Sequence, residues 1–161
     1  MSNQFIMEKK IYSKDVEVIW ADLDPNQHMR HTSYSQYAAH ARICFFNDHG
    51  YPLTKLANMG LGAVLLREES IYVREVGMHE RIRITVELIK ATRDYSRYTI
   101  IQTIFKENGK VAAKVLIDGA WIDMQTRKVM PPFPEVVEAV VNQLPIHKDY
   151  DWVEASYYRF L

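Results

Sequence analysis

The sequence contains one cysteine, no excess of either charge and no long apolar run. Cys44 by itself cannot form an internal disulfide framework or a zinc site built from cysteines. Twenty Lys and Arg residues balance twenty Asp and Glu residues, so the chain lacks the basic field that nucleic-acid binding requires. No stretch approaches the roughly 18 apolar residues of a membrane span. The first ten residues contain no apolar segment of signal-peptide length, so we expect a cytoplasmic protein with no membrane or nucleic-acid partner.

The common catalytic signatures are also missing. The sequence has no G-x-S-x-G elbow, P-loop, dinucleotide fingerprint or H-E-x-x-H zinc motif. Cys44 falls on the apolar face of a predicted helix, where we expect a small core residue and not a nucleophile. The 161 residues match the length of one domain, which we place over residues 1–161 with its core at about 10–144.

The hydrophobic pattern predicts strands around one long helix. Residues 10–20 alternate apolar and polar side chains imperfectly, which is typical of a strand. Apolar residues then recur at helical spacing over 34–45, with Thr32 and Ser33 as N-cap candidates and Gly50 at the end. Further strands are predicted at 63–76, 81–93, 98–106 and 111–124. Long antiparallel strands around a buried helix indicate an α+β fold.

The C-terminal part predicts a short helix followed by an aromatic extension. Pro134 fits the first position of a helix whose remaining residues are 135–144. Residues 145–161 are rich in tyrosine and tryptophan, and such a segment is too apolar to remain a free tail. We expect it to pack on the body of the domain or on a neighbouring subunit.

The polar segment 21–31 is the place where chemistry is expected. Its Asp, Asn and His residues stand directly before the predicted long helix. The free N–H groups of a helix N-terminus can hold an oxyanion, and a neighbouring carboxylate can act as nucleophile or general base. A solvated turn accounts for the same residues, because Asp, Asn and Pro are common in turns. A metal site is a further alternative, although its possible ligands match no known spacing: Asp22, Asp24, His28, His31 and His40.

Residues 20–29, with the sequence WADLDPNQHM, resemble the active-site loop of hotdog-fold thioesterases. The loop is similar to that of plant acyl-ACP thioesterases and of bacterial acyl-CoA thioesterases in the 4-hydroxybenzoyl-CoA thioesterase superfamily. The order of predicted elements from about residue 10 to residue 144 is similar as well. The resemblance implies a hotdog fold, in which an antiparallel sheet wraps a long central helix.

The same resemblance assigns roles to individual residues. Asp24 matches the catalytic carboxylate, which would act as nucleophile or general base. Asn26 and His28 match polar partners that orient the carboxylate, the water or the thioester. A backbone N–H near His31 would bind the thioester oxygen, and Tyr34 is a candidate for the acyl pocket together with other aromatic residues of the helix.

The resemblance implies a thioesterase that hydrolyses an acyl-CoA or acyl-carrier-protein substrate to a free acid and a thiol. It requires no metal or redox cofactor, and it implies a homodimer or homotetramer with the site at a subunit interface. Arg30 and His31 depart from the pair of asparagines found in many relatives, and residues 39–42 replace a stretch in which many relatives carry a helix glutamate. His40 could take the place of that glutamate, and a packed or solvated helix histidine accounts for it equally. These departures motivate an alternative, a non-catalytic module for acyl-thioester binding or assembly. Asp22 is expected to fix the loop through a hydrogen bond.

Overall fold

The computed structural model describes residues 11–158, so Lys10 and residues 159–161 of the predicted elements lie outside it. The strands in this range are β1 (Tyr12–Glu17), β2 (Leu61–Tyr72), β3 (Arg81–Ala91), β4 (Arg97–Lys106), β5 (Val111–Asp123) and β6 (Ile146–Trp152). The α-helices are α1 (His31–Asp48), α2 (Leu53–Asn58) and α3 (Pro134–Ala139). Short 3-10 helices cover Trp20–Asp22, Val141–Gln143 and Ala155–Tyr157.

The strands form one sheet in the order β1-β3-β4-β5-β2. Every neighbouring pair in this order is antiparallel, whereas β6 runs parallel to β3 beyond the end of β1. The alternation predicted for β3 is confirmed, since its inner face is buried at Ile82, Ile84, Val86 and Leu88. Among residues 11–158, β2 has a partner strand on one side only, so its outer edge is open.

Helix α1 packs against the sheet through one face. Its buried residues Tyr34, Ala38, Ala41 and Phe45 recur every three or four positions, as a helix facing a core requires. Gln102 of β4 is fully buried and donates a hydrogen bond from Nε2 to the Ala38 carbonyl at 2.8 Å. This arrangement of a long helix against an antiparallel sheet confirms the predicted α+β class.

The start of α1 differs from the prediction. Arg30 is the N-cap residue, and Thr32 and Ser33 lie inside the first turn, so the predicted N-cap role of these two residues is wrong. The Arg30 N–H donates to the Asp22 carbonyl at 2.8 Å, which leaves Arg30 extended and lets the helix begin at His31. The N-terminal boundary of α1 is therefore set by a backbone contact with the preceding loop, and not by a side-chain cap.

Two other predicted boundaries are also corrected. Strand β1 ends at Glu17 because the chain turns into a 3-10 helix, and Trp20 is consequently 80% exposed. Helix α3 ends at Ala139 because Val140 leaves the helical conformation, with φ of −120° and ψ of −65°. The segment that follows forms β6 along β3, and Tyr158 is buried, so the described part of the tail packs on the sheet.

Candidate functional site

The loop before α1 is a narrow hairpin with Asp24 near its tip. Leu23 and Met29 form an antiparallel bridge, and the Asp24 N–H donates to the His28 carbonyl at 2.9 Å. The Met29 N–H donates to the Val76 carbonyl at 2.7 Å, which attaches the hairpin to the segment between β2 and β3. The hairpin is therefore held both by its own ladder and by the neighbouring chain.

The Asp24 carboxylate is half-buried and oriented by its own turn. Its Oδ1 accepts hydrogen bonds from the N–H of Asn26 at 2.9 Å and the N–H of His28 at 3.3 Å. Its Oδ2 has no hydrogen-bond partner within the part of the chain that the structure describes. One oxygen therefore fixes the orientation of the group while the other is open to a ligand.

The side chains of Asn26 and His28 lie away from these bonds. The Asn26 residue is exposed, and His28 Nε2 lies 4.0 Å from Glu75 Oε1. Both residues reach Asp24 through their backbone N–H groups, and residues 11–158 show no side-chain hydrogen bond from either residue to Asp24. The structure thus brings the three predicted catalytic residues together, with Asn26 and His28 contributing main-chain groups.

His31 and Tyr34 share a shallow groove with Asp24. The groove is completed by Met29, Tyr72, Val73, Arg74 and Glu75. His31 is the first residue of α1, and within the described chain the N–H groups of His31 and Thr32 have no acceptor. Such free N–H groups carry a partial positive charge, which suits an oxyanion. The groove therefore contains a carboxylate and the start of a helix.

Tyr34 forms an apolar wall of this groove. Its side chain is almost fully buried, and its ring meets Tyr72 edge to face with centroids 5.1 Å apart. Burial, followed by the neighbouring Tyr72, raises the pKa of Tyr34 above its usual value. The hydroxyl therefore stays protonated and neutral at physiological pH.

A second groove reaches Asp24 from the other side of the hairpin. It is lined by Trp20, Ala21, Leu23, Asp24, Gln27, Arg30 and Met78. Trp20 is 80% exposed and Met78 is 46% exposed, so the groove presents apolar surface of the kind that usually contacts a ligand or a partner. Asp24 consequently lies where two grooves meet.

Asp22 is buried behind the hairpin and lines neither groove. Its Oδ2 accepts hydrogen bonds from the Ile19 N–H at 3.0 Å and from the Tyr37 hydroxyl, and Ser33 Oγ lies 3.5 Å from Oδ1. Burial, followed by the bond to Asp22, raises the pKa of Tyr37 to about 12. Asp22 fixes the loop as predicted, whereas Tyr37 was missed because its helical spacing indicated only a core position.

The alternative metal site lacks a converging set of side chains. Asp22 is surrounded by hydrogen-bond donors, and residues 11–158 contain no group of three or more His, Cys, Asp or Glu placed to hold a metal ion. His40 lies beside Cys44, with Nε2 3.5 Å from Sγ. The prediction of Cys44 as a core residue is wrong, because the buried face of α1 passes through Ala41 and Phe45 and leaves Cys44 half-buried.

An apolar chamber lies between α1, the sheet and the segment 140–144 that follows α3. Phe45 and Phe46 line it together with Tyr98 and Trp121, and Arg42 is the one charged residue in its wall. Tyr34 lies in the groove at Asp24 and not in this chamber. Of the aromatic residues of α1, Tyr34 therefore lies in the groove at Asp24, whereas Phe45 and Phe46 lie in the chamber.

Residues 18–141 match the family model of the thioesterase-like superfamily, a match that covers the hairpin, α1 and strands β2 to β5. The chain belongs to the thioesterase-like superfamily. No curated protein sequence matches this superfamily member. No helix within residues 11–158 is long and apolar enough to cross a membrane.

Solved structures share the architecture of this thioesterase-like protein. A Staphylococcus aureus protein in complex with CoA has a TM-score of 0.76 and 22% identity, over 92% of this chain and 90% of that one. A 1,4-dihydroxy-2-naphthoyl-CoA thioesterase from Synechocystis has a TM-score of 0.74 and 15% identity, over 83% and 97%. A DHNA-CoA thioesterase from Staphylococcus aureus has a TM-score of 0.73 and 19% identity, over 82% and 89%. These similarities confirm the predicted hotdog fold.

Proposed function

We propose that this superfamily member hydrolyses an acyl thioester of coenzyme A or of an acyl carrier protein to a free acid and a thiol. The observation that carries the proposal is the Asp24 carboxylate, with Oδ1 held by two backbone N–H groups and Oδ2 open in a groove at the start of α1. A carboxylate in this position can attack a carbonyl carbon or activate water. The free N–H groups of His31 and Thr32 are suited to binding the oxyanion that forms.

Asp24 Oδ2 can carry out the hydrolysis by two routes. As a general base, Asp24 Oδ2 takes a proton from water while the water oxygen attacks the thioester carbonyl. The tetrahedral oxyanion then collapses, expels the thiolate, and the thiolate takes the proton from Asp24. As a nucleophile, Oδ2 attacks the thioester carbonyl carbon, forms a mixed anhydride and expels the thiolate. Water then hydrolyses the anhydride, which releases the acid, regenerates the Asp24 carboxylate and supplies the proton that the thiolate takes. Each route consumes one water and yields one acid and one thiol.

The remaining predicted residues take supporting roles in this proposal. Asn26 and His28 orient the carboxylate, since their N–H groups bind Oδ1. His31 supplies the first helix N–H, and Tyr34 forms the apolar wall beside the acyl group. The neighbour solved with CoA, and the neighbours named as DHNA-CoA thioesterases, support a CoA thioester as the first substrate to test.

A second copy of the chain is part of the proposal. The outer edge of β2 lacks a partner strand within the described range, and a long open strand edge is a ready template for pairing with another chain. Leu65, Ile71, Tyr72 and Val73 along or beside this edge are about half exposed. Because Tyr72 and Val73 also line the groove at Asp24, a homodimer formed here, or a tetramer of such dimers, would complete that groove.

A thiol-release assay on short, long and aromatic acyl-CoAs tests the proposal, with Asp24→Asn as the variant. Asparagine retains an oxygen that accepts the two N–H bonds but cannot act as base or nucleophile, so turnover should fall by about 10²- to 10⁴-fold in a folded protein. Asp123→Asn is a matched control. Asp123 Oδ1 also accepts two backbone N–H bonds, from Gln125 at 2.7 Å and Thr126 at 2.8 Å, but lines neither groove.

The outcomes of this assay separate the two candidate functions. Turnover that D24N loses and D123N keeps supports hydrolysis at Asp24. Equal turnover in D24N and wild type would remove Asp24 from the mechanism. Tight binding of an acyl-CoA without turnover by wild type would favour the non-catalytic binding module.

A further inference from the structure

We infer that Asp22 is the positioning residue of this site, and that its bond to Tyr37 sets the place of Asp24 relative to the first turn of α1. The inference rests on the proposed function of Asp24. It assigns Asp22 and Tyr37 a role in the rate of the reaction, although neither residue lines a groove that contains Asp24.

Asp22 connects three segments of the chain. Its side chain accepts hydrogen bonds from the Ile19 N–H before the hairpin and from the Tyr37 hydroxyl on the second turn of α1. Its backbone carbonyl accepts from the Arg30 N–H at 2.8 Å and from Ser33 Oγ at 3.4 Å. One residue thus ties both ends of the hairpin to the first two turns of the helix.

The position of Asp24 depends on this connection. The bond between the Asp22 carbonyl and the Arg30 N–H closes the neck of the hairpin, and the bridge between Leu23 and Met29 continues from it. Asp24 lies two residues after Asp22, and α1 begins directly after Arg30. A displacement of about 1 Å at a reacting group can cost about 100-fold in rate. A rigid link at the neck of the hairpin therefore bears directly on catalysis.

The chemistry of the bond explains why a carboxylate is suited to this place. Asp22 is only 8% exposed, and a buried charge is stable only when it is hydrogen-bonded. The donors to its side chain are neutral groups, namely the Ile19 N–H and the Tyr37 hydroxyl, and Ser33 Oγ lies 3.5 Å from Oδ1. Loss of the Tyr37 hydroxyl leaves Oδ2 with one donor in place of two. We expect the neck of the hairpin to shift toward water while the rest of the fold remains.

Tyr37→Phe tests the inference, with Tyr12→Phe as the matched control. The Tyr12 hydroxyl also donates to an aspartate, Asp48 Oδ2 at 2.7 Å, but at the opposite end of α1. With an acyl-CoA substrate, Y37F should lower kcat by about tenfold and change KM by less than about twofold. Y12F should match wild type in both constants. When Asp24 is already asparagine, adding Y37F should have no further effect, because Tyr37 acts through Asp24.

A second measurement needs no activity. The N–H groups of Asn26 and His28 bind Asp24 Oδ1, so their hydrogen exchange reports on the position of the carboxylate. Exchange at both groups should be faster in Y37F than in wild type and unchanged in Y12F. If Y37F cannot be purified folded, Ser33→Ala removes a weaker contact to Asp22 and should shift the same measurements in the same direction.

The inference is overturned if Y37F keeps wild-type exchange at these two groups, or keeps wild-type kcat in an active enzyme. If wild type hydrolyses no thioester, the proposed function fails, and the exchange data alone decide whether the bond between Asp22 and Tyr37 positions Asp24.

Discussion

Arg42, in the wall of the apolar chamber, forms a polar pair with Gln102, and removing both should cost less stability than removing either one. Arg42 Nη1 donates to Gln102 Oε1, and Gln102 Nε2 donates to the Ala38 carbonyl at 2.8 Å. Gln102 has no exposed surface, and burial lowers the pKa of Arg42 against the opposing effects of Tyr98 and Glu68. The pair therefore contains a charge and an amide that depend on each other for hydrogen bonding.

The magnitudes follow from what each substitution leaves behind. Arg42→Met leaves the buried Gln102 oxygen without its donor, which should cost about 1–3 kcal/mol. Gln102→Met leaves the guanidinium without this acceptor, which should cost about 1.5–3 kcal/mol. The Ala38 carbonyl keeps its intrahelical bond, so its loss of Gln102 adds little. The double substitution replaces both polar groups by apolar ones beside an apolar chamber and should stay within about 1 kcal/mol of wild type.

Urea unfolding of the four proteins at one fixed protein concentration measures these differences and the coupling energy. Arg83→Met serves as a control because Arg83 pairs with Asp15 at the surface, where both side chains are more than half exposed and ion pairs contribute little. A double variant that loses the sum of the two single losses would refute the reasoning, since the two groups would then act independently.

Two further predictions concern alkaline pH and assembly. The pKa of Tyr37 is about 12 in the folded protein against about 10 for a free tyrosine, so its contribution to stability is complete below pH 10 and is lost as the pH rises toward 12. Urea unfolding at pH 9 and pH 11 should show a smaller loss of stability in Y37F than in wild type, and an equal loss would contradict this assignment. Ile71→Lys should reduce the molecular mass measured by sedimentation, because it charges the open edge of β2. Ile146→Lys, with similar exposure on β6, should leave the mass unchanged, and wild-type mass in both variants would exclude this edge as the interface.

Features that depend on neighbouring residues were predicted well from the sequence. The alternation of β3 identified its buried face, and Gly50 was placed correctly after the end of α1, where its φ is +78°. The hotdog fold was predicted from the order of elements and from the resemblance of the loop containing Asp24 to an active-site loop, and the role of that loop stays a prediction. The alternation of β3, the position of Gly50 and the loop motif each lie within a short stretch of chain.

Features that depend on distant residues could not be read from the chain. Asp22 and Tyr37 are 15 positions apart, and nothing in the spacing of α1 distinguishes a core tyrosine from one that binds a loop carboxylate. The start of α1 at His31 follows from the bond between Arg30 and the Asp22 carbonyl. The parallel pairing of β6 with β3 likewise depends on contacts between distant parts of the chain. Periodicity and turn chemistry determine which segments form helices and strands, but a hydrogen bond between segments exists only after packing has brought its donor and acceptor within about 3 Å. The residues of the candidate site were therefore recognisable from the sequence, while the contacts that orient them became visible only in the folded chain.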